Sequence, residues 1–292
     1  MGSWNGKKSA VALGDSHVNK STVKATKPIN PATNSVDSSE SGNMESAWNL
    51  CHPVDESVKG DFKIKIPYKI SVTTGERLIV LGRSNSGKSS FFQSILGNVI
   101  REYGNLEVGG KISYVPQIPF LLRETIKNNI IFGGIDVKEK LDMVEEFVEL
   151  THELNKLEKY DSAILEDINA VLSPVMRQKI SLARALYNDP DVFLIDDIFT
   201  EMDINSVKKL LNNFEKILPQ KTLIISTVLT SIIRPNDLVL IFDQGTALEQ
   251  GVFVNMVGNP SSYIHNFMRY ESAVLEKMNI MSKQLTARCS IQ

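Results

Sequence analysis

Residues 80–89 read Val-Leu-Gly-Arg-Ser-Asn-Ser-Gly-Lys-Ser and contain the spacing Gly82-x-x-x-x-Gly87-Lys88-Ser89. These residue types, in this order, are suited to holding a polyphosphate. Gly82 and Gly87 allow the backbone to wrap an anion with its N–H groups. A helix starting at the loop would add the positive end of its dipole. Lys88 supplies a point charge for β and γ oxygens, and the Ser89 hydroxyl can ligate Mg²⁺. Such a loop has meaning only between a strand and a helix. Leu78-Ile79-Val80-Leu81 supplies the strand, and the apolar spacing of Ser90-Phe91-Phe92-Gln93-Ser94-Ile95-Leu96 supplies the helix.

A second chemical feature lies further along. Val192-Phe193-Leu194-Ile195-Asp196-Asp197 is an apolar strand ending in two carboxylates. Beside a phosphate loop, the first acid of such a pair holds Mg²⁺, usually through its water shell.

The elements that must position these groups are legible from pattern. Phe62-Lys63-Ile64-Lys65-Ile66 alternates as a half-buried strand, and Thr73-Thr74-Gly75-Glu76 turns into the loop strand. Val192-Phe193-Leu194-Ile195 and Leu223-Ile224-Ile225 are continuous apolar runs, as expected of parallel strands covered on both faces. Residues 136–157 and 180–187 carry helical periodicity, the latter stopped by Asn188-Asp189-Pro190. Leu238-Val239-Leu240-Ile241-Phe242 followed by Asp243-Gln244-Gly245 predicts a hairpin, and residues 261–292 an amphipathic helix. The expected fold is α/β with a mostly parallel central sheet.

Composition is that of an ordinary globular chain. A net charge of −2 over 292 residues gives no electrostatic case for nucleic acid. Cys51 and Cys289 lack metal spacing, which points to a reducing compartment. No secretory h-region or stretch of membrane-span length is expected. Residues 1–43, rich in Ser, Asn, Thr, Lys and Gly, read as a disordered leader or linker.

Around these features the chain resembles the nucleotide-binding domains of ATP-binding cassette proteins. Leu172-Ser173-Pro174-Val175-Met176-Arg177-Gln178 is similar to the family's Leu-Ser-Gly-Gly-Gln signature with its middle replaced. Tyr114-Val115-Pro116-Gln117 resembles the Q-loop, and Phe199-Thr200-Glu201-Met202-Asp203 the D-loop. Within the family, Thr125-Ile126-Lys127-Asn128-Asn129-Ile130-Ile131-Phe132-Gly133, Asp197 and Ser181-Leu182-Ala183-Arg184-Ala185 are most similar to the first nucleotide-binding domain of multidrug-resistance-associated transporters and the cystic fibrosis channel. The resemblance implies a P-loop NTPase core with an antiparallel β subdomain and an α-helical subdomain. It implies a nucleotide-binding domain over residues 44–255, a helical subdomain over about 118–180, and a C-terminal helical tail over 256–292.

It also implies a site. ATP would be held by Gly82, Arg83, Ser84, Asn85, Ser86, Gly87, Lys88, Ser89 and Ser90. Trp48 would stack on the adenine, while Tyr68 reads as a strand residue of the core. Mg²⁺ would be held by Ser89, Gln117 and Asp196. Gln117 would sense the γ-phosphate, and Asp197 would position the attacking water. Ser173 and Thr227 stand where the family contacts phosphate through its signature and switch. The implied partners are a second nucleotide-binding domain, in a head-to-tail ATP sandwich, and the transmembrane domains of a transporter. The place of work would be the cytoplasmic face of a membrane.

Three departures from the family pattern predict slow hydrolysis. Asp197 replaces a Glu, which costs roughly 1.5 Å of reach, and near-attack geometry is sensitive at that scale. Thr227 carries no imidazole. Pro174 has no N–H, and Val175 adds a branched side chain where the family has glycine. The same departures suit a regulatory ATP-binding module that gates and scarcely turns over.

Overall fold

The computed structural model describes residues 11–13, 46–49, 63–102, 104–154 and 172–269. Its strands are β1 (Val11–Leu13), β2 (Ser46–Asn49), β3 (Lys63–Ile66), β4 (Ile70–Val72), β5 (Arg77–Gly82), β6 (Ile100–Arg101), β7 (Leu106–Val108), β8 (Ile112–Val115), β9 (Val192–Asp196), β10 (Thr222–Thr227), β11 (Leu238–Asp243) and β12 (Thr246–Val252). The helices are α1 (Lys88–Ile95), α2 (Ile126–Ile131), α3 (Lys138–Phe147), α4 (Thr151–Leu154), α5 (Pro174–Tyr187), α6 (Ile204–Ile217) and α7 (Phe253–Val257).

The main sheet runs in the order β6-β2-β3-β12-β11-β5-β10-β9-β8. From β11 to β8 every neighbouring pair is parallel. β12 returns antiparallel to β11, as the hairpin signal predicts, and β2 pairs antiparallel with β3 and β6. A smaller antiparallel sheet, β4-β1-β7, completes the β layer. Its middle strand is Val11-Ala12-Leu13, an apolar triplet inside the stretch expected to be a leader. A three-residue run is too short for a composition argument to detect, and only pairing with two separate strands makes it structure. The remainder of 1–43 lies outside the described residues.

The central strands are apolar throughout because each serves two cores. Ile79 and Leu81, Phe193 and Ile195, Leu223 and Ile225, and Val239 and Ile241 point into a core shared with the helical side. Leu78 and Val80, Val192 and Leu194, Ile224, Leu240 and Phe242 point to the other face, where Phe91, Phe92 and Ile95 of α1 pack. Phe91 lies 5.3 Å from Phe242 between ring centres. On the helical side Phe214 of α6 meets Phe147 and Phe193 edge-on at 4.9 and 5.2 Å.

Within 118–154 and 172–180 all regular structure is helical. The periodic segment 136–157 is not one helix. Glu149 takes φ 58° and breaks it after α3, which lets Leu150 bury completely before α4 begins. Its last three positions, like residues 155–171 as a whole, lie outside the described residues. Tyr68 also departs from its expectation: it stands between β3 and β4, is 37% exposed, and donates its hydroxyl to the Leu248 carbonyl at 2.6 Å. Of the expected C-terminal helix, residues 263–269 are helical and Ile264 is buried. Positions beyond 269 lie outside the description.

The strand that leads into the phosphate loop is anchored at its start. Arg77 on β5 donates Nε–H to Asp237 Oδ1 at 2.9 Å and a second N–H to Oδ2, and both side chains are under a tenth exposed. Asp237 Oδ2 also accepts the Arg234 N–H at 2.7 Å. Removing one partner of a buried pair leaves the other charge without compensation. Asp237→Ala is therefore expected to destabilise the domain by about 3–5 kcal/mol in equilibrium denaturant unfolding. An unchanged midpoint would show that the anchor is dispensable.

Candidate functional site

The phosphate loop is shaped by three backbone constraints. Gly82 closes β5 with its Cα side against the next strand: a Cβ there would stand 2.5 Å from the Phe242 carbonyl oxygen. Asn85 takes φ 62°, a left-handed conformation that Asn tolerates better than most residues. Gly87 takes φ 109° and is the N-cap of α1, with no side-chain hydrogen bond capping the helix. The loop is braced from behind, since Gly245 N–H donates to the Ser86 carbonyl at 2.8 Å. The result is a helix N-terminus open to an anion.

A cleft of about 330 Å³ opens over this loop. Residues 84–90 line it together with Gln117, Asp196 and Asp197. Ser86 Oγ is buried there, without a hydrogen-bond partner among the described residues. Lys88 is buried too; its ammonium donates to the carbonyls of Gly82 at 2.7 Å and Arg83 at 2.9 Å. Burial pushes its pKa down, and Asp197 and Asp196 work against that shift.

The two carboxylates sit in different surroundings. Asp196, 1% exposed at the end of β9, accepts from Ser226 Oγ at 2.5 Å and from the Tyr114 hydroxyl at 3.0 Å. Burial and then the neighbouring Asp196 push the Tyr114 phenol well above its ordinary range. Asp197 leaves the strand in a left-handed conformation, φ 47°, and accepts from Thr200 Oγ1 at 2.7 Å. Burial raises its pKa, with the Thr200 hydrogen bond and the Lys88 charge opposing.

Gln117 reaches the cleft from the segment after β8. Its carbonyl accepts an N–H from Gln178 on α5. The same helix holds the following loop, where Arg184 donates to the carbonyls of Phe120 and Asn129, each at 2.8 Å. Gln178 and Arg184 carry no role in the sequence reading, because their partners are main-chain carbonyls 61 and 55–64 residues away.

Ser173 and Thr227, also singled out in the sequence, are not among the residues that line this cleft. Ser173 is exposed; its hydroxyl accepts the Met176 N–H at 3.2 Å and caps α5, with Pro174 in the first helical turn. Val175 and Met176 pack against the helical-side core. Thr227 is wholly buried, and its hydroxyl accepts the Leu229 N–H at 3.0 Å. No histidine stands at this end of β10, where Val228 follows. Trp48 lies on β2, and its side chain is outside the described structure.

Residues 67–200 match the family model described as ABC transporter. Over these residues the chain is similar to an ABC transporter nucleotide-binding domain. It is similar to ABC transporter C family member 9 of Arabidopsis thaliana, 30% identical over 190 residues, which covers 65% of this chain and 13% of that protein. It is also similar to the human ATP-binding cassette sub-family C member 4, 31% identical over 191 residues, covering 64% of this chain and 14% of the relative. The chain thus spans about one-seventh of these curated relatives. A bacterial Atm1-family ABC exporter solved with ATP bound shares the fold at a TM-score of 0.68 and 19% identity, over 78% of this chain and 42% of that one.

The burial of Asp197 has a consequence for stability. A carboxylate whose folded pKa is raised contributes most to stability at low pH and loses that contribution as pH rises through the folded value. Asp197→Asn keeps an acceptor for Thr200 and removes the ionisation. The variant is expected to melt above the parent at pH 7.5, and the gap should close on acidification through the carboxylate range. A pH-independent gap would show that ionisation of Asp197 is not its source.

Proposed function

We propose that the nucleotide-binding domain binds MgATP in the cleft over residues 84–90 and hydrolyses it slowly. The observation that carries this reading is the convergence, in one cleft, of the loop N-terminus, Lys88, Gln117, Asp196 and Asp197. Backbone N–H groups at the start of α1 and the ammonium of Lys88 would hold the β- and γ-phosphates. Lys88 would exchange the carbonyls of Gly82 and Arg83 for phosphate oxygens, a rotation within a side chain already in the cleft. The Ser86 hydroxyl is a buried donor in want of an acceptor.

The residues present suit Mg²⁺ completed by substrate. Among the described residues no group of three or more His, Cys, Asp or Glu could hold a metal ion unaided. Ser89 and Asp196, with Gln117, offer a partial oxygen set of the kind that Mg²⁺ fills with phosphate and water. When bound, the ion would neutralise charge developing on the transferred phosphoryl group. Asp197 would orient a water, with a reach shorter than that of glutamate by one methylene and with one oxygen already engaged by Thr200.

A head-to-tail pair with a second nucleotide-binding domain would complete the site. The face this chain offers such a partner is poor: Ser173 is committed to capping α5, Pro174 has no N–H, and Val175 and Met176 serve the core. That observation favours a second reading, a regulatory module that binds ATP and gates without appreciable turnover. In either case the domain would act at the cytoplasmic face of a membrane, on transmembrane domains. Among the described residues no helix is long and apolar enough to cross a membrane. Ile118, Phe120, Phe132 and Ile135, between 50% and 83% exposed in the region after β8, are apolar side chains available for such docking.

Two measurements test this. Lys88→Ala is expected to weaken ATP binding at least about tenfold, or 1.4 kcal/mol; equal affinity in the two proteins would remove the cleft assignment. Steady-state phosphate release should be slow in the parent and still slow in Asp197→Glu, because the signature and switch positions remain defective and groups that act as a unit are not restored singly. Brisk release from the parent would overturn the slow-turnover reading.

A further inference from the structure

The carboxylate of Asp196 is held from both sides by hydroxyl groups on the flanking strands. Register places Ser226 of β10 directly opposite Asp196, so a short side chain suffices, and Ser226 Oγ donates to Oδ1 at 2.5 Å. On the other flank, β8 pairs Tyr114 with Leu194, two residues behind Asp196. Only a side chain as long as tyrosine spans that diagonal, and its hydroxyl donates to Oδ2 at 3.0 Å.

The tyrosine is itself fixed. Its ring lies edge-on to Phe92 at 6.4 Å and 86°, and Gln93 stands beside its hydroxyl. Both neighbours stand on α1, the helix that begins at Lys88. Four elements of the site therefore meet around one buried carboxylate: the loop helix through Phe92 on the Tyr114 ring, the strand before Gln117 through Tyr114, β9 through Asp196, and β10 through Ser226.

A carboxylate at a strand end turns freely about its terminal torsion, which is broad and roughly two-fold. Two fixed donors on opposite sides select one orientation. Each oxygen has further acceptor capacity after taking one hydrogen bond, so the clamp does not fill the carboxylate. The geometry points to Tyr114 and Ser226 as positioning residues that orient the Asp196 carboxylate for the cation accompanying the nucleotide. This inference rests on the Mg²⁺–nucleotide reading of the cleft. Without the clamp, the carboxylate would turn and would lose donors in a dry site. The grip of the loop on the phosphates, made by other residues, would remain.

Titrating the whole chain with a fluorescent ATP analogue, in excess Mg²⁺ and separately in EDTA, tests this. The parent should bind more tightly with Mg²⁺ than with EDTA. Tyr114→Phe keeps the ring against Phe92, and Ser226→Ala keeps the strand. Each should cut the Mg²⁺-dependent gain by about tenfold, the scale of one hydrogen bond to a charged group, and leave the EDTA affinity unchanged. Ser226→Ala carries the test by itself if the tyrosine variant does not fold. A parent-like gain in a folded variant would overturn the clamp while leaving the nucleotide site intact. Equal losses in Mg²⁺ and EDTA would also overturn it, since a general packing defect does not distinguish the two. A parent with no Mg²⁺-dependent gain would overturn the cleft reading, and the clamp with it.

Discussion

Parallel pairing of β11, β5, β10, β9 and β8 is the constraint on which the site depends. Parallel neighbours need crossovers, and a set of crossovers of one kind leaves the carboxyl ends of all the strands at one edge. Register then decides which residues share that edge: Gly82 faces Phe242, Leu81 faces Thr227, and Asp196 faces Ser226. Chemistry placed at the end of any of these strands is brought within reach of the others, over sequence separations of a hundred residues and more. Gly82 lies so close to the Phe242 carbonyl and to Ser86 Oγ that a side chain there would force the loop to shift.

Burial at this edge sets the electrostatics. Lys88 and Asp197 are shifted toward their neutral forms by desolvation, and each opposes the shift of the other. Buried charge of this kind is costly unless balanced, which agrees with the proposed binding of a nucleotide and its cation. Neutral hydroxyls do much of the holding: Ser226 and Tyr114 on Asp196, Thr200 on Asp197. They orient the carboxylates without adding charge.

The segment that resembles the signature serves the fold: Ser173 caps α5, and Val175 and Met176 pack on the core. Ser173 and Pro174 suit a helix start, and Val175 and Met176 suit a core; glycine and glutamine in their place would suit neither role as well. The helix they begin still serves the site indirectly, because Gln178 and Arg184 hold the backbone that carries Gln117 and the loop after it.

The phosphate loop, the paired acids of β9, the two-sided central strands and the terminal hairpin were all legible in the sequence. Each is written in local order, as glycine spacing, apolar runs or a turn signal, and needs no distant partner to be recognised. The break at Glu149 and the strand at Val11–Leu13 were not legible, since the first follows from burying Leu150 and the second from pairing with β4 and β7. Tertiary structure also decided which candidates share a cleft. Thr227 and Ser226 are adjacent in sequence, yet strand alternation turns one toward the Leu229 N–H and the other toward Asp196. Tyr114 passes in the sequence for an ordinary strand aromatic. Its role is set by a diagonal across two strands, and that relation exists only once β8 and β9 lie side by side.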